Sequence, residues 1–292
     1  MVLLDGIATA KIIRQQLIQQ VRTLQDAGKR VPHLAVILIG HDPASHTYVN
    51  AKLKACEEVG FQTTLLQYPT IQEAALLRHI EEVNENPATD GLIVQLPLPP
   101  HINVQRVIHQ IKPEKDVDGF HPLNYGNMAR GLPAHIPATP LGILTLLTHY
   151  QIETQGKHCV IVGRSMTVGA PLSILLSRND ERGNATVTLC HSRTPNLKQF
   201  TQQADMIVAA VGQPGLITAD MVKEGAVAID VGITRMTDTT RKSGYRLQGD
   251  IDFEQVAPRC SHITPVPGGV GPMTIAALLL NTLRAAQHPP KP

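Results

Sequence analysis

The chain has 292 residues, enough for one large domain or two ordinary ones. Hydrophobic residues make up 42% of it and charged residues 17%, a balance that excludes an intrinsically disordered chain. The formal net charge of +2 gives no reason to expect nucleic acid or a membrane surface as a partner. The N-terminus lacks the pattern of a secretory signal, and no apolar run could span a bilayer, so we expect a cytoplasmic protein.

The first third of the chain alternates between two hydrophobic periods. Apolar residues at helical spacing alternate with short apolar runs of strand length. These patterns predict helices over 7–27, 44–60 and 71–84, and strands over 33–40, 62–68 and 90–100. Because strands alternate with helices, we expect parallel crossovers and an α/β sheet.

Residues 112–140 are rich in proline, glycine and asparagine and follow no steady period, which indicates a loop-rich domain boundary. Alternation then resumes, and an apolar helix follows a second irregular loop over 264–272. The pattern predicts helices over 141–150, 169–178 and 273–286, and strands over 157–162, 185–190, 206–211 and 226–231. We therefore expect two α/β domains flanking a cleft, one of residues 1–140 plus 272–292 and one of residues 141–271.

The segment "VGRSMTVGAP" at 162–171 joins a predicted strand to a predicted helix. Gly163 can form a tight turn, and Gly169 allows close approach at the helix N-terminus, where free N–H groups attract phosphate. Ser165 stands where the common dinucleotide fingerprint has its second glycine. The segment predicts a nucleotide loop, with an ordinary strand–helix turn as the alternative.

The end of the next strand, "TVTLCHSRT", indicates which nucleotide would bind. Folds of this kind read the adenosine ribose at this point, and a carboxylate there favours NAD. This strand ends without a carboxylate but carries Ser192 and Arg193, and Arg164 lies in the first turn. A basic and hydroxylic set suits the 2′-phosphate of NADP, whereas the alternative is a pair of solvated arginines.

A second group of polar residues lies in the first half of the chain. Tyr48 and Lys52 are four residues apart in a predicted helix, so their side chains share a face. Gln95 ends the "LIVQ" strand, and Asp118 lies in "KDVDGF". A desolvated lysine can act as a base, an amide can orient it, and a carboxylate can bind a heterocycle. The group predicts a polar site for a small heterocycle, although Tyr–Lys pairs at this spacing are also common on solvent-facing helices.

The cysteines and histidines form no recognisable metal or disulfide pattern. Cys56, Cys159, Cys190 and Cys260 lie far apart and include no C-x-x-C pair. The thirteen histidines are scattered, with none at the spacing H-x-x-x-H. We therefore expect reduced thiols and no bound metal.

A series of segments, taken in order and with their spacing, is specific for one enzyme family. The segments are "DPASHTYVNAKLKACEEVGF", "DGLIVQLPLP", "KDVDGF", "PATPLGIL", "VGRSMTVGAP", "CHSRT", "GAVAIDVGI", "GDIDF" and "TPVPGGVGPMT". Over essentially its full length the chain resembles the bifunctional methylenetetrahydrofolate dehydrogenase/methenyltetrahydrofolate cyclohydrolase (FolD) family. The resemblance implies that the second domain is Rossmann-type, with a mostly parallel sheet that binds NADP.

The resemblance also implies a hydride transfer followed by a hydrolysis. NADP would accept a hydride from the methylene bridge between N5 and N10 of tetrahydrofolate. Water would then add to the resulting methenyl cation and open it to 10-formyltetrahydrofolate. The family further implies one-carbon metabolism, purine biosynthesis and a homodimer.

The resemblance assigns expected roles to individual residues. Lys52 would assist the water and proton steps, and Gln95 would hold and tune it. Tyr48 would shape the folate site, and Asp118 would bind the pterin nitrogens. Substrate would also contact Pro267, Gly268 and Gly269. NADP would be held by Gly163, Arg164, Ser165, Gly169, Ser192, Arg193, Gly232 and Ile233.

Two other functions are compatible with parts of the pattern. One is another two-domain NAD(P) dehydrogenase, acting on shikimate-like or amino-acid substrates, which the set of Tyr48, Lys52, Gln95 and Asp118 argues against. The other is a catalytically silent NADP-binding protein, which would keep the glycine turn and lose that set. The chain keeps both features.

Overall fold

The computed structural model of the protein describes residues 1–240 and 244–287, which form two compact units. The six-stranded unit contains Met1–Ala10 and Thr139–Thr274. The three-stranded unit contains Lys11–Ala138 and Ile275–Pro292, of which 288–292 lie outside the described part. The division expected from the sequence differs at the N-terminus, where it placed the first ten residues with the other unit.

The elements of the first half are β1 (Val2–Leu3), α1 (Gly6–Asp26), β2 (His33–Ile39), α2 (Pro43–Val59), β3 (Gln62–Tyr68), α3 (Glu73–Glu85), β4 (Gly91–Val94), α4 (Val104–Gln110) and α5 (Pro122–Ala129). The second half continues with α6 (Ala138–His149), β5 (His158–Val162), α7 (Gly169–Ser177), β6 (Thr186–Cys190), α8 (Leu197–Thr201), β7 (Met206–Ala209), β8 (Val227–Asp230), β9 (Thr234–Thr237), β10 (Tyr245–Gln248), α9 (Phe253–Val256), β11 (His262–Ile263) and α10 (Val270–Gln287). No helix of the described residues is both long and apolar enough to cross a membrane.

The three-stranded unit is built on a parallel sheet with the strand order β3-β2-β4. β2 lies in the centre and is buried from Leu34 to Ile39, which explains its unbroken apolar run. Leu76 and Ile80 of α3 and Val107 of α4 pack against this sheet. Since the strands are parallel, their carboxyl ends meet at one edge of the sheet.

Local sequence determines where α2 begins and ends. The Asp42 side chain caps the helix by accepting a hydrogen bond from the N–H of Ser45 at 2.8 Å, and Pro43 occupies the first turn. Gly60 ends the helix in the left-handed conformation, with a φ of 81°. These signals fix where α2 begins and ends, and Val49, Lys52, Cys56 and Val59 lie on its buried face.

The six-stranded unit has a fully parallel sheet with the strand order β1-β11-β8-β7-β5-β6. β1 joins this sheet by pairing with β11, which is why the first ten residues belong here. The chain runs from β5 to β6 on one side and then to β7 on the other side of β5. This reversal is the switch point of a Rossmann-type fold, where ligands bind beyond the carboxyl ends of the strands. The predicted α/β fold class is confirmed.

Some elements lie where the sequence pattern indicated only loops. α5 forms inside the predicted loop 112–140 because His121 caps it, its Nδ1 accepting from the N–H of Leu123, and Pro122 starts its first turn. α10 begins at Val270, inside the predicted loop 264–272. The antiparallel hairpin of β9 and β10 was not predicted, because its strands are too exposed to alternate clearly.

Candidate functional site

Lys52 is a buried lysine on α2, with only 6% of its surface exposed. Its Nζ donates a hydrogen bond of 3.0 Å to Oε1 of Gln95, the residue that follows β4. Gln95 in turn donates from Nε2 to the carbonyl oxygen of Leu96 at 2.7 Å, which directs its Oε1 toward the lysine. The structure therefore brings together two residues that lie 43 positions apart in the sequence.

The described residues supply Lys52 with this single hydrogen-bond acceptor and no carboxylate partner. A lysine amine can make more than one hydrogen bond, so capacity is left for a ligand or water. A polar group with spare donors in a desolvated position is suited to moving a proton to or from a bound molecule.

Tyr48 lies one helical turn before Lys52, with its ring centre 6.0 Å from the lysine Nζ. Burial raises the pKa of the Tyr48 phenol, so the hydroxyl stays protonated at neutral pH. Cys56, one turn after Lys52, is fully buried, and burial raises the pKa of its thiol to about 12. The face of α2 thus offers a neutral hydroxyl and an amine, whereas the thiol is inert.

Asp118 lies in a loop that a second aspartate organises. Asp116 is buried and accepts hydrogen bonds from the N–H groups of Phe120 and His121, at 3.1 and 2.7 Å. Burial raises the pKa of Asp116 to about 6. A parallel bridge joins Asp116 to Leu92 of β4, so Asp118 lies near the edge at which β4 ends. No hydrogen bond among the described residues links Asp118 to Lys52.

The sequence pointed to Asp118 but not to the organising role of Asp116. The motif "KDVDGF" contains both aspartates. The sequence does not show which of them accepts the backbone hydrogen bonds of the loop; only the folded structure does. The glycine of this motif, Gly119, has a φ of 74°, and a Cβ there would overlap the backbone between Ile136 and Pro137. The loop that carries Asp118 therefore depends on a glycine at this position.

The turn after β5 is closed by two glycines that contact each other. Gly163 has a φ of 120°, and a Cβ on it would overlap the carbonyl oxygen of Ala210. A Cβ on Gly169 would overlap the carbonyl oxygen of Gly163. The Ser165 hydroxyl accepts a hydrogen bond of 3.2 Å from the N–H of Val168. The turn lies at the switch point, where folds of this kind bind their ligands, and leads directly into the N-terminus of α7.

The predicted basic and hydroxylic residues are exposed around this turn. Arg164 and Ser165 follow β5, and Ser192 and Arg193 follow β6. Within the described part of the chain, neither arginine forms an ion pair. Because β5 and β6 are adjacent and parallel, both arginines lie beyond the same edge of the sheet and can meet an anionic ligand there.

Gly232 and Ile233 follow β8, at the same edge. The N–H of Gly232 donates to Oδ1 of Asp230 at 3.0 Å, and a Cβ on Gly232 would overlap the carboxyl group of Asp250. Ile233 is 45% exposed, so its side chain is accessible from solvent. The close approach of Gly232 to Asp250 had no signal in the sequence, because it depends on which strand ends are neighbours.

Asp230 and Asp250 form a buried carboxylate pair that the sequence did not reveal. Asp230 accepts hydrogen bonds from the N–H groups of Gly232, Asp250 and Ile251, and burial raises its pKa to about 7. Oδ2 of Asp250 accepts from Val211 and Gly212 at 2.6 and 3.0 Å. The pair ties together the backbone that follows β7 and β8, at the carboxyl ends of the strands, which we call the nucleotide edge because the predicted NADP residues lie there.

Pro267, Gly268 and Gly269 form a tight turn before α10. The Val266–Pro267 peptide bond is cis, and Gly268 has a φ of 111°. The carbonyl oxygen of Gly268 accepts a hydrogen bond of 3.1 Å from the N–H of Ile7, and Gly269 donates to Pro265 at 2.9 Å. The turn is therefore fixed through its backbone.

Among residues 1–240 and 244–287, no cluster of His, Cys, Asp and Glu could hold a metal ion.

Comparison with known protein families matches both halves of the chain. The model "tetrahydrofolate dehydrogenase/cyclohydrolase, catalytic domain" matches residues 4–118. The model "tetrahydrofolate dehydrogenase/cyclohydrolase, NAD(P)-binding domain" matches residues 137–289. The chain belongs to the tetrahydrofolate dehydrogenase/cyclohydrolase family. This membership confirms the predicted resemblance and the nucleotide-binding character of the second half.

Individual members of the family are similar over their full length. The bifunctional protein FolD of Amoebophilus asiaticus is 65% identical, over 98% of this chain and 97% of the relative. The crystal structure of the FolD enzyme from Campylobacter jejuni is 45% identical, has a TM-score of 0.92, and covers 98% of this chain and 99% of its own. The Trypanosoma brucei enzyme, solved with NADP cofactor and an inhibitor, is 38% identical with a TM-score of 0.93, covering 98% and 97%.

Proposed function

We propose that the protein carries out both activities of its family with NADP as the cofactor. It oxidises 5,10-methylenetetrahydrofolate to the 5,10-methenyl cation and hydrolyses that cation to 10-formyltetrahydrofolate. Membership of the family supports both activities. The single observation that carries the assignment of residues is the hydrogen bond from the buried Lys52 to Gln95.

The residues at the nucleotide edge fit a dinucleotide phosphate. Any Cβ on Gly163 or Gly169 would overlap the protein's own backbone, so the close turn into α7 requires glycine at both positions. The N-terminus of a helix that follows such a turn attracts phosphate. Ser192 and Arg193 are exposed beside it and carry no carboxylate neighbour in their turn. When bound, NADP supplies the hydride acceptor. Arg193, with Arg164, pairs with the 2′-phosphate and so selects NADP over NAD.

Lys52 acts in the hydrolysis. Water adds to the methenyl carbon, the bond from that carbon to N5 breaks, and one proton is released overall. Lys52 relays protons between water and the folate, while Gln95 holds its Nζ in place through the 3.0 Å hydrogen bond. Tyr48 presents its neutral hydroxyl and ring to the folate, and Asp118 accepts hydrogen bonds from the pterin nitrogens.

The remaining assignments follow from the family. The three-stranded unit holds the folate and the six-stranded unit holds NADP, with Pro267, Gly268 and Gly269 also contacting substrate. The protein works as a homodimer in the cytoplasm, and its product enters one-carbon metabolism and purine biosynthesis. It needs neither nucleic acid nor a metal.

One assay tests this function. The purified protein is given 5,10-methylenetetrahydrofolate with NADP or with NAD, and reduced nicotinamide and 10-formyltetrahydrofolate are both measured. We expect rapid reduction of NADP, slower reduction of NAD, and formyl product in step with reduction. A folded protein that reduces neither nucleotide would contradict the proposal and support a silent NADP-binding protein instead.

A further inference from the structure

The turn after β6 is organised around one side chain, His191. Its Nδ1 accepts a hydrogen bond of 3.1 Å from the N–H of Arg193. Its own N–H donates to Oγ1 of Thr194 at 2.9 Å, and its carbonyl oxygen accepts from the N–H of Thr194 at 2.8 Å. The two residues between these bonds, Ser192 and Arg193, are therefore held by contacts that all begin at His191.

The bond to Arg193 is the type that asparagine and aspartate make in turns, from a side-chain acceptor to the N–H two residues later. Asn86, Asn103 and Asp180 make the same bond elsewhere in this chain, each at 2.9 or 3.0 Å. The imidazole of His191 thus replaces an amide oxygen. Asparagine is accordingly the conservative substitute at this position, since it keeps an acceptor at a similar distance from the backbone.

The side chains that this turn presents have no other anchor. Ser192 and Arg193 are exposed, and the described residues give the Arg193 guanidinium no ion-pair partner. Their reach toward a ligand therefore depends on the backbone of the turn. A guanidinium pairs with a phosphate through two parallel hydrogen bonds, and that geometry tolerates little displacement.

We propose that His191 is a positioning residue that sets the preference for a 2′-phosphate, by fixing the turn that presents Ser192 and Arg193. The inference rests on the proposed function, because it takes NADP to be bound at this edge. NADP and NAD differ only in the 2′-phosphate, so displacement of the turn weakens the binding of NADP and leaves that of NAD unchanged. The loss of one ordinary hydrogen bond corresponds to about a fivefold change in affinity.

The test compares two substitutions at one position. His191→Phe keeps a planar ring and removes the acceptor, whereas His191→Asn keeps an acceptor and removes the ring. For each variant and the unchanged protein, KM is measured for NADP and for NAD with 5,10-methylenetetrahydrofolate, together with the rate of methenyl hydrolysis. We expect His191→Phe to raise the KM for NADP about fivefold, with the KM for NAD and the hydrolysis rate unchanged. His191→Asn should restore the KM for NADP.

Each other outcome overturns the inference in a distinct way. An unchanged KM for NADP in His191→Phe shows that the lone pair at Nδ1 does not matter. Equal increases for both nucleotides, or no rescue by asparagine, show that His191 has a general structural role. If the unchanged protein itself does not prefer NADP, the proposed cofactor assignment fails, and the inference falls with it.

Discussion

The two candidate sites achieve their chemistry by opposite means. Around Lys52 the chain buries a charged side chain and orients it with one amide, Gln95. Around Gly163 the chain packs backbone closely against backbone, which only glycine allows, and leaves its charged groups in solvent. A proton relay needs a desolvated, oriented group, whereas a phosphate needs close backbone approach and accessible positive charge. Substitutions should therefore separate the two activities.

The largest expected effect is at the buried charge. Lys52→Met keeps most of the side-chain volume and removes the amine, so hydrolysis of methenyltetrahydrofolate should slow by about 10²- to 10⁴-fold. The rate of hydrolysis, measured directly on the methenyl compound, checks this. Lys54→Met on the exposed side of the same helix is the matched control and should hydrolyse normally. A fully active Lys52→Met variant would remove Lys52 from the mechanism.

The next effect is at the glycine turn, where the backbone rather than a side chain matters. Gly163→Ala adds a Cβ that overlaps Ala210 at a φ of 120°, so KM for NADP should rise on the order of tenfold or more. Hydrolysis of added methenyltetrahydrofolate, which consumes no nucleotide, should be unaffected.

Gly28→Ala is a control for the strain of placing alanine at a positive φ without a steric overlap. Gly28 has a φ of 66°, but no atom lies within 4 Å of its Cβ position. This control should leave the KM for NADP unchanged. If Gly163→Ala also leaves it unchanged, the nucleotide does not bind at this turn.

A smaller effect concerns stability at the nucleotide edge. The pKa of Asp230 is about 7 in the folded protein, above the ordinary value of 3.8 that it has when unfolded. Between these values the folded state binds the extra proton, so stability falls as pH rises from about 4 to 7 and levels off above. Asp230→Asn should remove this loss, since asparagine does not titrate, and this is seen as a flatter dependence of the urea midpoint on pH. An equally steep dependence in the variant would show that Asp230 ionises normally.

The sequence was informative about the fold because both sheets are parallel. Buried parallel strands such as β2 and β5 are short apolar runs, and helices with clear caps separate them, so their limits could be predicted to within a few residues. The hairpin of β9 and β10 and the edge strand β1 were missed because they are short and exposed. Their pairing depends on distant residues, which local periodicity cannot show.

The candidate site was harder to predict than the fold. The spacing of Tyr48 and Lys52 placed them on one helical face, but only the structure shows that this face is buried at Lys52. The buried carboxylates Asp116, Asp230 and Asp250 had no local signal. Asp230 and Asp250 bond to backbone N–H groups that come together only once the strands are ordered, whereas Asp116 bonds within its own loop.

The division of labour between the two sites is tested most directly by a time course of 5,10-methylenetetrahydrofolate oxidation by Lys52→Met with NADP. Reduced nicotinamide, methenyltetrahydrofolate and 10-formyltetrahydrofolate are recorded together and compared with the unchanged protein. We predict that the variant still reduces NADP and that one molecule of the methenyl compound accumulates for each NADP reduced. The unchanged protein instead converts the methenyl compound to the formyl product. Formyl product at the normal rate from the variant, with no methenyl accumulation, would contradict the assignment of hydrolysis to Lys52.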